Sequence, residues 1–129
     1  MHPIKTLATA LVALGGLAAP SFAQDLNPTG TWQTTSGESR FSISYCGDGE
    51  QLCAKLTWLR EDARTPENLA LLNTYVVKGA RPAEEGKWRG TVTYDGQTVT
   101  GSVTLKGADR LSVTGCQFIA CKQLDFVRV

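Results

Sequence analysis

Histidine and methionine each occur once in the 129 residues, as His2 and Met1, both at the extreme N-terminus. Neither sign of charge is in excess: 13 Lys+Arg stand against 12 Asp+Glu, a formal net charge of +1. A nucleic-acid footprint needs a basic face, so that class of partner is excluded. The one long apolar run, Leu7–Leu17, falls short of the roughly 20 residues a spanning helix needs. At 42% hydrophobic and 19% charged residues, the composition is that of a packed globular protein, and wholesale disorder is ruled out. The length has room for one domain.

The start of the chain reads as a targeting segment. His2 and Lys5 give a short positive beginning, Leu7–Leu17 (LATALVALGGL) an apolar core, and Ala19-Pro20-Ser21-Phe22-Ala23 a small-residue ending. Residues 1–23 are therefore expected to be a signal peptide cut between Ala23 and Gln24, leaving residues 24–129 as a single domain without a transmembrane segment. The expected location is periplasmic or secreted, in a bacterium. Cleavage removes Lys5 and leaves the remaining charges balanced at 12 of each sign. It also removes the only histidine, the commonest general base and metal ligand. Ser-His-Asp and Cys-His catalysis in their usual forms are then excluded, as is a zinc site containing histidine.

Four cysteines remain: Cys46, Cys53, Cys116 and Cys121. Export to an oxidising compartment and an even count imply two disulfides, for which three connectivities exist. A four-cysteine zinc site is the competing reading, but the spacing within each pair fits structural zinc poorly.

The remaining sequence alternates with period two between Gly, Asp and Ser turns. Eight strands are expected, near 29–35, 40–46, 52–59, 75–80, 87–94, 97–105, 110–116 and 121–129. A short helix interrupts strands three and four within 62–74, with Thr65 as its cap, Pro66 at its first position, and Leu69 and Leu72 as its apolar face. That segment would act as a lid or a plug at one barrel end. Tyr94-Asp95-Gly96-Gln97 is a two-residue hairpin signal that sets Val92 opposite Val99, Gly90 opposite Gly101 and Trp88 opposite Val103. Phe41, Ile43 and Tyr45 alternate on one face of their strand, as do Leu52, Ala54, Leu56 and Trp58 on theirs. Cys46 and Cys53 then share the opposite face. Cys116 and Cys121 likewise both point away from Leu111, Val113, Leu124 and Phe126. The parity favours two local staples, Cys46–Cys53 and Cys116–Cys121. Eight antiparallel strands with one apolar face and no parallel crossover predict an all-β, eight-stranded up-and-down barrel; a two-sheet sandwich is the alternative.

Facing glycines at 90 and 101 read either as a small pocket or as a barrel corner, where glycine permits sharp coiling. If a pocket exists, Tyr45, Trp58, Trp88 and Tyr94 would give it aromatic walls with polar tips, with Gly90 and Gly101 as the gap. The inward set also includes Trp32, Phe41, Leu56, Leu105 and Phe126, and so many large groups argue against a wide cavity. Glu61-Asp62 and Glu84-Glu85 are adjacent loop carboxylates without the separation of a catalytic dyad. Asp25, Asp48 and Glu50 lack the spacing of a calcium loop. No phosphate-binding glycine pattern, nucleophile elbow or zinc motif occurs.

Gly30-Thr31-Trp32 resembles the opening Gly-x-Trp of calycin barrels. The resemblance implies that Arg128 packs across Trp32 to close the barrel floor, as a cation–π contact. A nearer resemblance runs through Cys53-Ala-Lys-Leu-Thr-Trp-Leu59, Lys87-Trp-Arg-Gly90, Tyr94, Leu111-Ser-Val-Thr-Gly-Cys116 and Val127-Arg-Val129. In that order these segments resemble the domain of unknown function 2147 family of small exported bacterial proteins. The stretch 64–79 (RTPENLALLNTYVVKG) keeps only traces of that family's Asn-Pro-rich middle. The resemblance implies a fold, since the family has no settled activity. The expectation is a monomeric, non-catalytic barrel without cofactor or metal, binding a small apolar ligand or a periplasmic protein. The alternative is a periplasmic inhibitor of a protease or lysozyme, with Gln24–Thr29 as its arm.

Overall fold

The computed structural model describes residues 26–94 and 96–129, so the leader at 1–23 and its cut before Gln24 lie outside the described residues. Eight strands form: β1 (Gly30–Thr34), β2 (Ser39–Cys46), β3 (Gln51–Leu59), β4 (Tyr75–Glu84), β5 (Lys87–Tyr94), β6 (Gln97–Leu105), β7 (Arg110–Gln117) and β8 (Ala120–Arg128). Each pairs antiparallel with the next, and β1 closes on β8 through Trp32↔Arg128, Gln33↔Val127 and Thr34↔Phe126. The architecture is a closed up-and-down barrel, not a sandwich. Closure leaves no strand edge for another chain to extend.

The up-and-down order sorts the connections. The β2–β3, β4–β5 and β6–β7 turns lie with both strand termini at one end, the floor. The β1–β2, β5–β6 and β7–β8 turns lie at the other end with the β3–β4 linker. That linker holds a 3-10 turn (Glu61–Ala63) and the short helix α1 (Pro66–Leu71). Thr65 caps α1 by accepting the Asn68 amide at 3.2 Å, and Pro66 occupies a first-turn position where its missing N–H costs nothing. The linker's apolar contacts differ from the expected pair. Ala63, Leu71 and Leu72 pack on the core, whereas Leu69 is exposed. The helix is too short for a second turn to carry a continuous stripe, so residues just before and after it do the packing.

The β5–β6 ladder follows the hairpin register from Tyr94↔Gln97 to Lys87↔Thr104. β4 runs on to Glu84, past the expected end at 80, with Pro82 opposite Trp88 where the pairing is irregular. A proline lacks the ladder N–H and is tolerated at such an irregularity.

One departure re-aims side chains. Between β2 and β3 the register shifts, so that Arg40 faces Trp58 but Phe41 faces Leu56, and Thr57 becomes the extra residue. A bulge of this kind reverses the inside–outside alternation beyond it. Leu59 is therefore buried, while Trp58 turns outward and lies under the Arg40 guanidinium, 4.6 Å from its ring centroid. The expected inward position of Trp58 is corrected by this bulge.

Two disulfides staple hairpins from outside. Cys46–Cys53 spans 6.0 Å between Cα atoms, and Cys116–Cys121, directly opposed in the β7–β8 ladder, spans 4.0 Å. These are the local pairs that face parity favours. Each closes a short loop and stabilises by roughly 2–2.5 kcal/mol in the chain-entropy model.

Candidate functional site

The floor is built on β1. Trp32 is fully buried, and its Nε1 donates to the Pro28 carbonyl at 2.8 Å. Arg128, its partner across the closing ladder, places its guanidinium 4.3 Å over the indole ring. The same guanidinium donates to the carbonyls of Asn27 (2.6 Å), Thr29 (2.7 Å) and Ala108 (2.9 Å). One cation thus ties the incoming chain, the β6–β7 turn and the last strand across the barrel base. Charge-assisted bonds of this kind are stronger than neutral ones. Residues 27–29 are held against the floor rather than extended as an arm. Trp88 seals the base from the opposite side, with Nε1 donating to the Glu50 carbonyl at 3.2 Å.

Above this floor the barrel is hollow. One cavity of about 250 Å³ is walled by aliphatic groups such as Leu56, Leu59, Val77 and Leu111, with Phe41 and Phe126 meeting edge to face at 5.4 Å between centroids. A second, of about 240 Å³, extends towards the β7–β8 turn past Val99, Gly115 and Ala120. Val92, Val113 and Leu124 line both. A dry apolar cavity of ~150 Å³ already accepts benzene. The two adjoining spaces reach the lower part of the roughly 300–1,000 Å³ range of ligand sites.

The rim is polar. Ser36, Glu38 and Asn68 border the first cavity where it meets the β1–β2 turn and the helical linker. Arg60 grips Asp62 through two donors, at 2.7 and 3.0 Å, donates to the Ser36 carbonyl at 3.1 Å and approaches Glu38 at 3.9 Å. The hydrogen bond from Arg60 holds the Asp62 carboxyl below its ordinary range, and Asp62 in turn raises Arg60. Asp62 is thus a paired surface anion. This collar ties the helical linker to the β1–β2 turn beside the mouth.

The expected ligand residues are distributed differently. Trp88 belongs to the floor. Tyr45 is 45% exposed near the end of β2 and does not border either cavity. Trp58 is outside the barrel for the reason given above. The side chain of Tyr94 lies outside the described residues. Gly90 and Gly101 do face each other, but no void lies over them. A Cβ on Gly90 would stand 2.9 Å from the Ala80 Cα, and one on Gly101 would stand 2.6 Å from Val92 Cγ2 and collide with the Thr114 carbonyl. These glycines let strands approach and coil; they do not open a pocket. Two large side chains expected inside, Tyr45 and Trp58, do not occupy the interior. Strand alternation does not mark Leu59 or Val77 as lining groups. The consecutive apolar residues Trp58-Leu59 were the available signal, because two neighbours cannot both face inward unless the alternation breaks.

The site is thus an apolar calyx: a closed barrel with a Trp–Arg floor, an aliphatic interior and a polar rim. Residues 30–128 match the model of the family described as "Uncharacterized protein conserved in bacteria (DUF2147)", and the chain belongs to that family. Comparison with curated proteins and with solved structures returned no match.

Proposed function

We propose that this chain is an exported, non-catalytic binding protein that holds a small apolar molecule inside its barrel, as a monomer in the periplasm or outside the cell. The observation that carries the reading is the pair of adjoining apolar cavities above the Trp32–Arg128 floor. Such a space favours an uncharged or long-chain apolar ligand, since transfer of apolar area from water stabilises by about 25 cal/mol per Å². The rim charges favour a ligand whose polar end stays at the mouth. Two disulfides, and no helix among the described residues long and apolar enough to cross a membrane, fit an exported protein.

Native mass spectrometry of the protein purified from its own host tests this directly. The expected result is a co-purifying small molecule that is lost on denaturation and restores thermal stability when added back. A clean unliganded mass, with no thermal shift across a panel of lipids and apolar metabolites, would overturn the reading.

A further inference from the structure

The β7–β8 turn breaks two local rules at once. Phe118 and Ile119 are almost wholly exposed, at 94% and 101%. Phe118 also sits at φ +58°, in the left-handed region that bulky residues avoid and that Gly or Asn enters easily. A polar residue there would relieve both costs. The turn is held rigidly: Cys116 and Cys121 are bonded and directly opposed, with Gln117 opposite Ala120 above them. The segment Gly115-Cys-Gln-Phe-Ile-Ala-Cys-Lys-Gln-Leu124 carries no acid, and its one charge is Lys122. Gln117 and Ala120 border the second cavity, so the apex stands at the mouth end of the calyx.

We propose that this stapled apex is a membrane-docking tip, in which Phe118 and Ile119 insert into the interfacial layer of a lipid bilayer and set the mouth of the barrel against it. Area selects lipid over a protein partner. Phe118 offers on the order of 200 Å² and Ile119 adds a smaller apolar side chain, with Gln117, Lys122 and Gln123 flanking them, whereas stable protein pairs bury roughly 1,200–2,000 Å². A bilayer needs no such surface, because it closes around a narrow convex tip, and the affinity comes from buried apolar area together with attraction of the cation Lys122 to anionic lipid. The docking rests on the apex and does not require the calyx to be loaded.

The protein, expressed from the 129-residue sequence and purified, is sedimented with vesicles of phosphatidylethanolamine and phosphatidylglycerol. Wild type is compared with the double variant Phe118→Asn/Ile119→Ser and with Phe118→Trp. Both positions lie outside the packed barrel, and Asn suits the left-handed backbone, so the double variant should melt at or above the wild-type temperature. Vesicle partitioning should fall at least tenfold in the double variant, the factor set by losing the burial of one such side chain, and should persist in Phe118→Trp. Uptake of an apolar ligand from aqueous solution should be equal in all three, which separates docking from binding in the calyx. The proposal is overturned if wild type stays in the supernatant, or if the double variant partitions as wild type does. It is also overturned if the variant abolishes a self-association seen by analytical ultracentrifugation while vesicle binding is absent. In that last case the apex docks a second copy of the chain.

Discussion

Val113→Phe separates a hollow barrel from a filled one by the sign of a stability change. Val113 lies on β7 between Val103 and Leu124, is half-buried, and lines both cavities. In a closely packed interior the added ring would force strained rotamers and cost roughly 1–3 kcal/mol. In the structure Val113 borders both cavities, of about 250 and 240 Å³. Filling that space should stabilise the barrel by about 1 kcal/mol, within the range of cavity-filling substitutions. For a domain of this size such a gain raises the melting temperature by roughly 4–8 °C. The same substitution should remove ligand binding. At a ligand concentration 100 times Kd, wild type gains about 2.7 kcal/mol from linkage, and the variant should gain little of it. Urea titration and thermal melting of both proteins, with and without the ligand recovered by mass spectrometry, provide the readout. A loss above ~1 kcal/mol on introducing Phe would mean that the interior is already filled. Undiminished ligand stabilisation in the variant would mean that the ligand sits elsewhere.

Gly101→Ala should destabilise by roughly 1–3 kcal/mol in urea titration, since its Cβ would meet Val92 Cγ2 at 2.6 Å and the Thr114 carbonyl; a neutral outcome would contradict the close strand approach. Arg128→Met should lower stability by about 2 kcal/mol or more, because it removes the ring contact and leaves the carbonyls of Asn27, Thr29 and Ala108 without their donor. Non-reducing tryptic mapping should find Cys46 with Cys53 in one peptide and Cys116 with Cys121 in another, and reduction should cost roughly 2–2.5 kcal/mol per bond; one cross-linked species containing both peptides would refute the pairing. Acid should lower the stability of the barrel progressively from about pH 4 downward. The Asp125 carboxyl accepts from Ser112 Oγ at 2.7 Å and Gln123 Nε2 at 2.9 Å, and these bonds hold its pKa below the ordinary range. Its folded-state pKa is thus lower than its unfolded one, so the stability it contributes is complete above the unfolded value and disappears as pH falls through the folded one. Asp125→Asn should flatten that decline in a pH series of thermal melts, and an unchanged slope would remove Asp125 from the account.

Strand number, the β5–β6 register, the helix cap at Thr65 and the grouping of the cysteines were legible in the sequence, because each rests on local chemistry. Period-two alternation sorts side chains to two faces, Asp-Gly places a tight turn, and Thr-Pro starts a helix whatever lies around it. The Gly-Thr-Trp opening and the penultimate Arg128 were visible too, although only closure of β1 on β8 brings them face to face. What the interior contains was decided by tertiary structure. The extra residue at Thr57 in one ladder turns Trp58 out and Leu59 in, and although the neighbouring apolar pair Trp58-Leu59 hints at a broken alternation, single-strand periodicity does not say which of the two faces inward. Tyr45 keeps the right alternation but stands near a strand end, where the barrel no longer covers it. Gly90 and Gly101 face each other as the hairpin requires, yet the space above them is taken by Ala80, which the β4–β5 pairing brings close, and by Val92 of the same hairpin. Alternation assigns a side chain to a face; how much room that face encloses depends on strand slippage, coiling and closure, which are properties of all eight strands together.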